Sequence, residues 1–399
     1  MTDLNSYFAQ TAIFTALFLA AVFVSIKKKQ DGQAMSKETS NELRGLAILG
    51  ILFAHLTYGK FYGTEFLFPL GIWAGVAVNL FFFLSGYGLA ASAIYHPKSV
   101  AEYFKKRILK IYLPLWIFLI VVLLVDAIIL NRHYPLREIF QSFIGFFPEA
   151  NLFTSINSPL WFLTPLLFYY LVFPFVYKPK HPRRSVIAVF IASFIAAFWI
   201  KWPVTEQIWQ LYQSHWLAFP LGVLLAGLVV SPQSVCSVCL RNGKCFSYKW
   251  ILSAGVKGVD TCSKPLAAII NKLQNLNIFW RFIILAALAW LSWETAYHSG
   301  VGKGPFLEQG YALFTMFCVL SFFEFKKTKF YFLELIGIYS FEIYLWHWPL
   351  ISRYDLLYQY LPLWLATALY VPLLLLIAYI ANQLAQLIIK KLASKRGSI

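Results

Sequence analysis

Long apolar runs separated by short polar tracts recur along this chain from residue 9 to residue 388. A helix that crosses a bilayer needs roughly 17–25 predominantly apolar residues. Runs of that kind fall at 9–26, 43–59, 69–92, 111–130, 160–177, 185–200, 215–230, 279–296, 307–323, 333–351 and 361–388. The third is long enough to hold two half-helices. Hydrophobic residues make up 60% of the chain and charged residues only 13%, against roughly 45–50% and about 25% in a soluble domain. Aromatic residues, at 19%, suit belts of Trp and Tyr at the two membrane interfaces. The expected fold is an all-α polytopic membrane bundle of about eleven transmembrane helices.

The charges then orient the bundle. A net charge of +17 invites nucleic acid as a partner, but the basic residues are not gathered on a soluble domain. They follow alternate apolar runs: Lys27, Lys28, Lys29 and Lys37 after the first, Lys98 to Lys110 after the third, and Lys178 to Arg184 after the fifth. Further tracts lie between Arg241 and Arg281, at Lys326, Lys327 and Lys329, and at Lys390 to Arg396. With Arg44, all but six of the 34 basic residues fall on one side. The exceptions are Lys60, Arg132, Arg137, Lys201, Lys303 and Arg353. By the positive-inside rule the N-terminus lies outside and the C-terminus in the cytoplasm. The first run has no basic residues before it and a cluster after it, the pattern of an anchoring helix rather than a cleavable signal peptide. The expected organisation is an N-terminal extra helix over 1–30, a membrane domain over 40–388 with a cytoplasmic insert at 231–278, and a basic tail over 389–399. The largest outside loop, about 131–159, carries Pro135, Pro148 and Pro159 and is a candidate to dip back into the membrane. No internal repeat or low-complexity tract is evident.

Arg44 and His55 share an apolar run, Leu43 to Tyr58, that carries no other charge. Eleven residues at ~100° each make about three turns, so both side chains point the same way, roughly 16 Å apart along the axis. Ionisable residues inside membrane helices face the bundle interior and mark function by default. The plainer alternative makes Arg44 the cytoplasmic end of its helix and has His55 hydrogen-bond a neighbouring one.

His347 lies near the outer end of the tenth run. Ser340, Tyr344 and His347 are spaced i, i+4 and i+7, one polar stripe, with Glu342 off it; a pocket wall is the functional reading and interhelical hydrogen bonding the other. His96, His133, His181 and His298 fall in solvated turns, and His215 opens a span at the outer surface, where it serves as a cap. Cys236, Cys239, Cys245 and Cys262 lie in the cytoplasmic insert, where disulfides are rare. Cys236-x2-Cys239 invites zinc, but no second paired knuckle follows; reduced thiols and no metal are expected. Cys318 reads as packing.

Lys106, Arg107 and Lys110 can share one helical face at the membrane surface, either as an orientation signal or as a phosphate site at a cytoplasmic mouth. Two further runs stand out. Asn79-Leu-Phe-Phe-Phe-Leu-Ser85-Gly86-Tyr87 has a small-residue step that permits close helix approach or an unwound turn. Ser158-Pro-Leu-Trp161-Phe-Leu opens the fifth span.

Taken in order, these segments resemble the acyltransferase-3 family of integral membrane acyltransferases. The matching pieces are Arg44-Gly-Leu-Ala with His55, Phe-Phe-Leu-Ser85-Gly86-Tyr, Tyr-Phe-x-x-Arg107-x-x-x-x-Tyr112-x-Pro114, Pro159-Leu-Trp161-Phe-Leu, and Ser340-Phe-Glu-Ile-Tyr344-Leu-x-His347. The resemblance covers roughly residues 40–385 and departs in two places. Asn41, with Glu42 beside it, replaces the acidic residue three before the Arg, and Lys110 replaces the second Arg of an Arg-x-x-Arg. It implies a 10-helix acyltransferase core plus one helix, in a bacterial cytoplasmic (inner) membrane. The implied reaction moves an acyl group, most often acetyl from acetyl-CoA, onto a hydroxyl of a cell-surface or lipid-linked glycan such as lipopolysaccharide O-antigen. Acetyl-CoA is then a substrate, with no permanently bound cofactor. The donor's phosphates would meet Arg44, Lys106, Arg107 and Lys110. His55 would act as general base or acyl carrier, assisted by Arg44 and His347, with Ser85, Tyr344 and Trp161 toward the acceptor. A lipid-linked sugar transporter or flippase and a membrane glycan polymerase are the rival classes. Both call for large outside loops or repeat symmetry that the sequence does not display.

Overall fold

The computed structural model describes residues 2–30, 35–60, 65–152, 154–229, 276–299 and 305–394. The chain is a helical membrane bundle. In order run α1 (Thr2–Val24), β1 (Ile26–Lys28), α2 (Lys37–Ala54), α3 (Phe68–Gly71), α4 (Ala74–Tyr95), α5 (Val100–Arg107), α6 (Leu113–Ile129), α7 (Leu136–Ile144) and α8 (Leu163–Val176). Then come α9 (Pro182–Phe198), α10 (Glu206–His215), α11 (Ala218–Val229), α12 (Ile278–His298), α13 (Pro305–Phe325), β2 (Thr328–Phe330), α14 (Tyr331–Ile338), α15 (Ser340–Ser352) and α16 (Leu363–Ser394). Among the described residues, 8 helical segments are long and apolar enough to cross a membrane. The other three expected spans are helical too, each for a reason short of that standard. α2 starts in charged sequence and turns into a π-helix at His55, α9 has 17 residues, and the 333–351 run is broken at Tyr339 between α14 and α15. The third run is a short α3 followed by an unbroken α4. The cysteines of the insert, and with them the zinc reading, lie outside the described residues.

Two crossings set the geometry of the core, and both depend on absent side chains. A Cβ on Gly45 would stand 2.0 Å from the Leu333 carbonyl oxygen, and one on Gly337 1.8 Å from that of Asn41, so α2 and α14 touch backbone to backbone. α4 and α11 meet likewise through Gly86, 2.2 Å from the Phe219 oxygen, and Gly222, 2.0 Å from that of Phe83. Of the two readings of the Ser85-Gly86 step, close approach is therefore the one realised, on a continuous helix.

Prolines supply the second rule of assembly. A proline inside a helix has no N–H and frees the carbonyl four residues before it; in lipid that oxygen needs a new donor. Pro174 frees the Tyr170 oxygen, which accepts from the Tyr103 hydroxyl at 3.0 Å. Pro220 frees that of Trp216, taken by Ser193 Oγ at 2.5 Å. Pro349 frees that of Leu345, taken by Asn157 Nδ2 at 2.8 Å. The first two prolines thus tie helices together, and the third ties α15 to the loop before α8.

Candidate active site

His55 is the residue at which α2 changes winding. Helix Lys37–Ala54 is started by Ser36, whose Oγ accepts from the Thr39 N–H at 3.1 Å, and continues from His55 to Lys60 as a π-helix. π-turns inside α-helices recur at functional sites because they re-aim one side chain. The π-turn sets the His55 ring against α15, with Nδ1 2.8 Å from His347 Nε2 and ring centroids 5.0 Å apart. Trp348 borders the pair, its ring 5.4 Å from that of His55.

The protons follow from the acceptors. His347 Nδ1 lies 2.8 Å from the Tyr344 carbonyl oxygen, which can only accept, so Nδ1 carries the hydrogen. In the neutral ring Nε2 is then an acceptor, and His55 Nδ1 must be its donor. His55 Nε2 is left with a bare lone pair and no bonding partner among the described residues. His347 is fully buried, whereas His55 keeps partial exposure. The result is a two-imidazole relay anchored on a backbone carbonyl and presenting one open nitrogen, which is what a general base or an acyl-accepting nucleophile requires.

Three turns away toward the start of α2 lies the basic mouth. A capping box, in which Ser99 Oγ accepts from the Glu102 N–H and Glu102 Oε2 from the Ser99 N–H, starts α5. A second π-turn, Ile108–Tyr112, follows directly after Arg107 and carries Lys110. Arg44, Arg107 and Lys110 come close enough to repel one another, with Lys37 and Lys98 in range of Lys110. Arg107 is held over the rings of Tyr103 and Tyr170, 5.7 and 5.1 Å from their centroids. Among the described residues Arg44 hydrogen-bonds only the Asn41 Oδ1, at 3.4 Å. Among the described residues no carboxylate pairs with Arg44, Arg107 or Lys110. Lys106 and Arg107 border a cavity of 140 Å³ between α4, α5 and α8. Residues that the charge pattern assigns to one side of the membrane thus do meet in space.

Of the three remaining sequence candidates, Tyr344 borders the relay, its ring 5.9 Å from that of His347, and the other two sit elsewhere. Tyr344 is buried and donates its hydroxyl to the Pro159 carbonyl, so it fixes α15 to the turn before α8. Ser85 lies beside the Gly86 crossing on α4. Trp161 stacks on His215, with ring centroids 6.0 Å apart. His215 itself differs from the expectation of a surface cap: it is buried, with Nδ1 2.9 Å from Asn79 Oδ1. Its amphipathic helix α10 lies folded into the bundle, which span counting alone does not reveal.

Sequence reasoning passed over two features. Asp126, fully buried on α6, accepts from Arg353 Nη1 at 2.6 Å, from the Tyr134 hydroxyl at 2.6 Å and from the Tyr354 hydroxyl at 2.5 Å. Arg353 also donates to the Ile156 carbonyl at 2.5 Å. This network ties the end of α15 to the 131–157 segment. A lone Asp in an apolar run and a lone Arg after another were the available signal. The second feature is Asn157, whose partner is dictated by Pro349. Glu342, placed off the polar stripe, accepts from Asn382 at 2.6 Å.

Residues 41–235 match the family of the acyltransferase domain, Acyl_transf_3. The chain is similar to the acyltransferase MdmB of Streptomyces mycarofaciens, at 30% identity over 182 residues. That similarity covers 41% of this chain and 46% of MdmB, so the chain spans about half the length of the relative it matches. No solved structure matches. Arg44, His55 and the basic mouth lie inside the matched stretch; His347 lies beyond it and reaches the site through the fold.

Proposed function

We propose, from the match of residues 41–235 to the acyltransferase-3 family, that this chain moves an acetyl group from cytoplasmic acetyl-CoA to a hydroxyl of a cell-surface glycan. The observation that carries the reading is the open Nε2 of His55, backed by His347 and the Tyr344 carbonyl.

Arg44, Arg107 and Lys110 receive the donor's phosphates, since a polyanion relieves their mutual repulsion. The roughly 16 Å from Arg44 to His55 is a span for the donor's extended arm, bringing the thioester to the relay. His55 Nε2 takes the proton of the acceptor hydroxyl as its oxygen attacks the thioester carbonyl. The C–S bond then breaks, the thiolate leaves, and the proton passes from His55 Nε2 to sulfur. While it holds that proton, His55 is an imidazolium whose Nδ1–H still donates to His347, so the relay spreads the charge without moving heavy atoms. In the covalent variant, His55 Nε2 attacks the thioester carbonyl and the thiolate leaves; the acceptor hydroxyl then attacks the acetyl-imidazole, the N–C bond breaks, and the hydroxyl proton ends on the thiolate.

Membranes bearing the protein, given radiolabelled acetyl-CoA, should place label in alkali-labile ester on surface polysaccharide. His55→Ala should lose about 10²–10⁴-fold if the imidazole is a general base, and more if it carries the acetyl group. Ester formation at the wild-type rate by a well-expressed His55→Ala variant would overturn the reading.

A further inference from the structure

On the far side of the relay from the basic mouth is a cavity of 710 Å³, framed by the 132–157 segment and by Pro203, Val204 and Thr205. Its volume falls within the roughly 300–1,000 Å³ of small-molecule sites. Its walls include Arg137, Gln141, Ser155 and Thr205 alongside Tyr134, Phe146, Ile156 and Val204, so hydrogen-bonding groups are set among apolar faces. The cavity is held in shape from below. Arg353 fixes the Ile156 carbonyl, Glu138 Oε1 accepts from the Ile156 N–H at 2.9 Å, and Arg132 donates to the Thr154 carbonyl at 2.7 Å.

Asn157 stands in the same wall and is 3% exposed. Its Nδ2 is committed to the carbonyl that Pro349 frees, which fixes which end of the carboxamide is which. Its Oδ1 is left buried without a partner. A buried acceptor atom with no donor is costly, and such an exception calls for an explanation. The carbonyl that Asn157 clamps belongs to Leu345, two residues before His347 on α15.

We propose that this outer cavity is the acceptor subsite, taking a polyhydroxylated sugar unit, and that Asn157 Oδ1 receives a hydrogen bond from one of its hydroxyls. The inference rests on the acetyl-transfer reading above and adds where the acceptor sits. A sugar brings O–H donors for Oδ1, acceptors for the arginine and amide groups, and C–H faces for Tyr134 and Phe146. A fatty-acyl or sterol acceptor would press hydrocarbon onto the Arg137 and Gln141 side chains. Asn157 is a binding and positioning residue: through Nδ2 it also holds the helix that carries His347.

Three variants test this in native membranes, which hold the endogenous acceptor, with label followed both into polysaccharide ester and into free acetate from acceptor-independent hydrolysis. Ser155→Cys, treated on intact cells with an impermeant polyethylene-glycol maleimide, should be labelled. It should then lose ester formation at least about 10-fold while hydrolysis of acetyl-CoA continues. Full labelling with undiminished ester formation, or no labelling at all, would overturn the subsite. Asn157→Ala should lower ester formation about 10-fold more than it lowers hydrolysis, the difference expected for one lost hydrogen bond to substrate. Asn157→Asp, which keeps an oxygen toward the cavity, should retain more ester formation than Asn157→Ala. If Asn157 served only to clamp Leu345, both variants would lose hydrolysis and ester formation together, with Asp the worse. Wild-type membranes that form no ester at all would instead remove the acetyl-transfer reading itself.

Discussion

Two basic regions of this protein carry similar numbers of cations and have opposite electrostatics. In the first, beside β1 and β2, the ammonium groups of Lys29, Lys326 and Lys329 have each found an oxygen. Lys326 bonds to Glu42, and Lys329 bridges Glu38 at 2.5 Å and Glu334 at 2.9 Å. Lys29 donates to the Phe323 carbonyl at 2.7 Å and to Thr39 Oγ1 at 2.9 Å. Burial pushes the Lys326 ammonium down to about 8, against the pull of the Glu42 carboxylate. In the second region, Arg44, Arg107 and Lys110 have one another and aromatic rings for company, and no carboxylate among the described residues. Folding has neutralised the first set and left the second uncompensated. On the reading proposed above a ligand supplies the missing anion, and the contrast then separates cations that hold the structure from cations left for a donor.

The contrast is sharpest in what each region should lose. Glu42→Gln strands a buried lysine, which costs about 3–5 kcal/mol for a broken buried pair; thermal unfolding of the detergent-solubilised protein should fall steeply, with donor dependence unchanged in what folds. Adding Lys326→Met should restore most of the loss, because the pair removed together is close to neutral. A Glu42→Gln protein of normal stability would erase the distinction.

Next in size, Arg44→Gln or Arg107→Gln should raise the acetyl-CoA concentration at half-saturation by about 10–100-fold, the range of one or two charge-assisted hydrogen bonds. Stability should hold or rise, since a like-charge repulsion is removed. Initial rates in membranes with varied acetyl-CoA measure this. An unchanged donor requirement in both variants would assign the cluster to membrane orientation alone. Arg107→Lys should sit between, a few-fold impaired, because an ammonium lacks the planar fork and stacks less well on Tyr103 and Tyr170. The smallest effect is that of salt. Raising ionic strength from about 50 to about 300 mM should weaken donor use by roughly 2–3-fold at the open cluster while leaving the thermal stability of the buried pair in place.

Membrane class and the positions of the helices were legible because apolar run length is a local property. So was the Arg44–His55 alignment, since three helical turns follow from spacing alone. Lys326 and Lys329 were indistinguishable from Arg107 in the sequence: counting charges per loop cannot tell that Glu38, Glu42 and Glu334 fold back to meet them. The His55–His347 bond depends on a π-turn and on the docking of α15, neither of which leaves a periodicity. Asn157 was invisible for the same reason. Its role is fixed by a proline 192 positions further along the chain, read from an oxygen left bare on one helix and a donor supplied by a loop.

The short pairing of Ile26 with Phe330 and Lys28 with Thr328 has a consequence for assembly in time. β1 closes α1 onto the stretch that leads into α14 and α15, and Gln10 of α1 accepts the Leu363 N–H across 353 residues of chain. During synthesis α1 enters the bilayer long before these partners exist. It can pack early on Phe53 of α2 through Phe14 and Phe18, but its strand is paired only when residues 328 to 330 emerge. The segment that completes this latch is the one that delivers His347, so the closing of the bundle and the arming of His55 are the same late event.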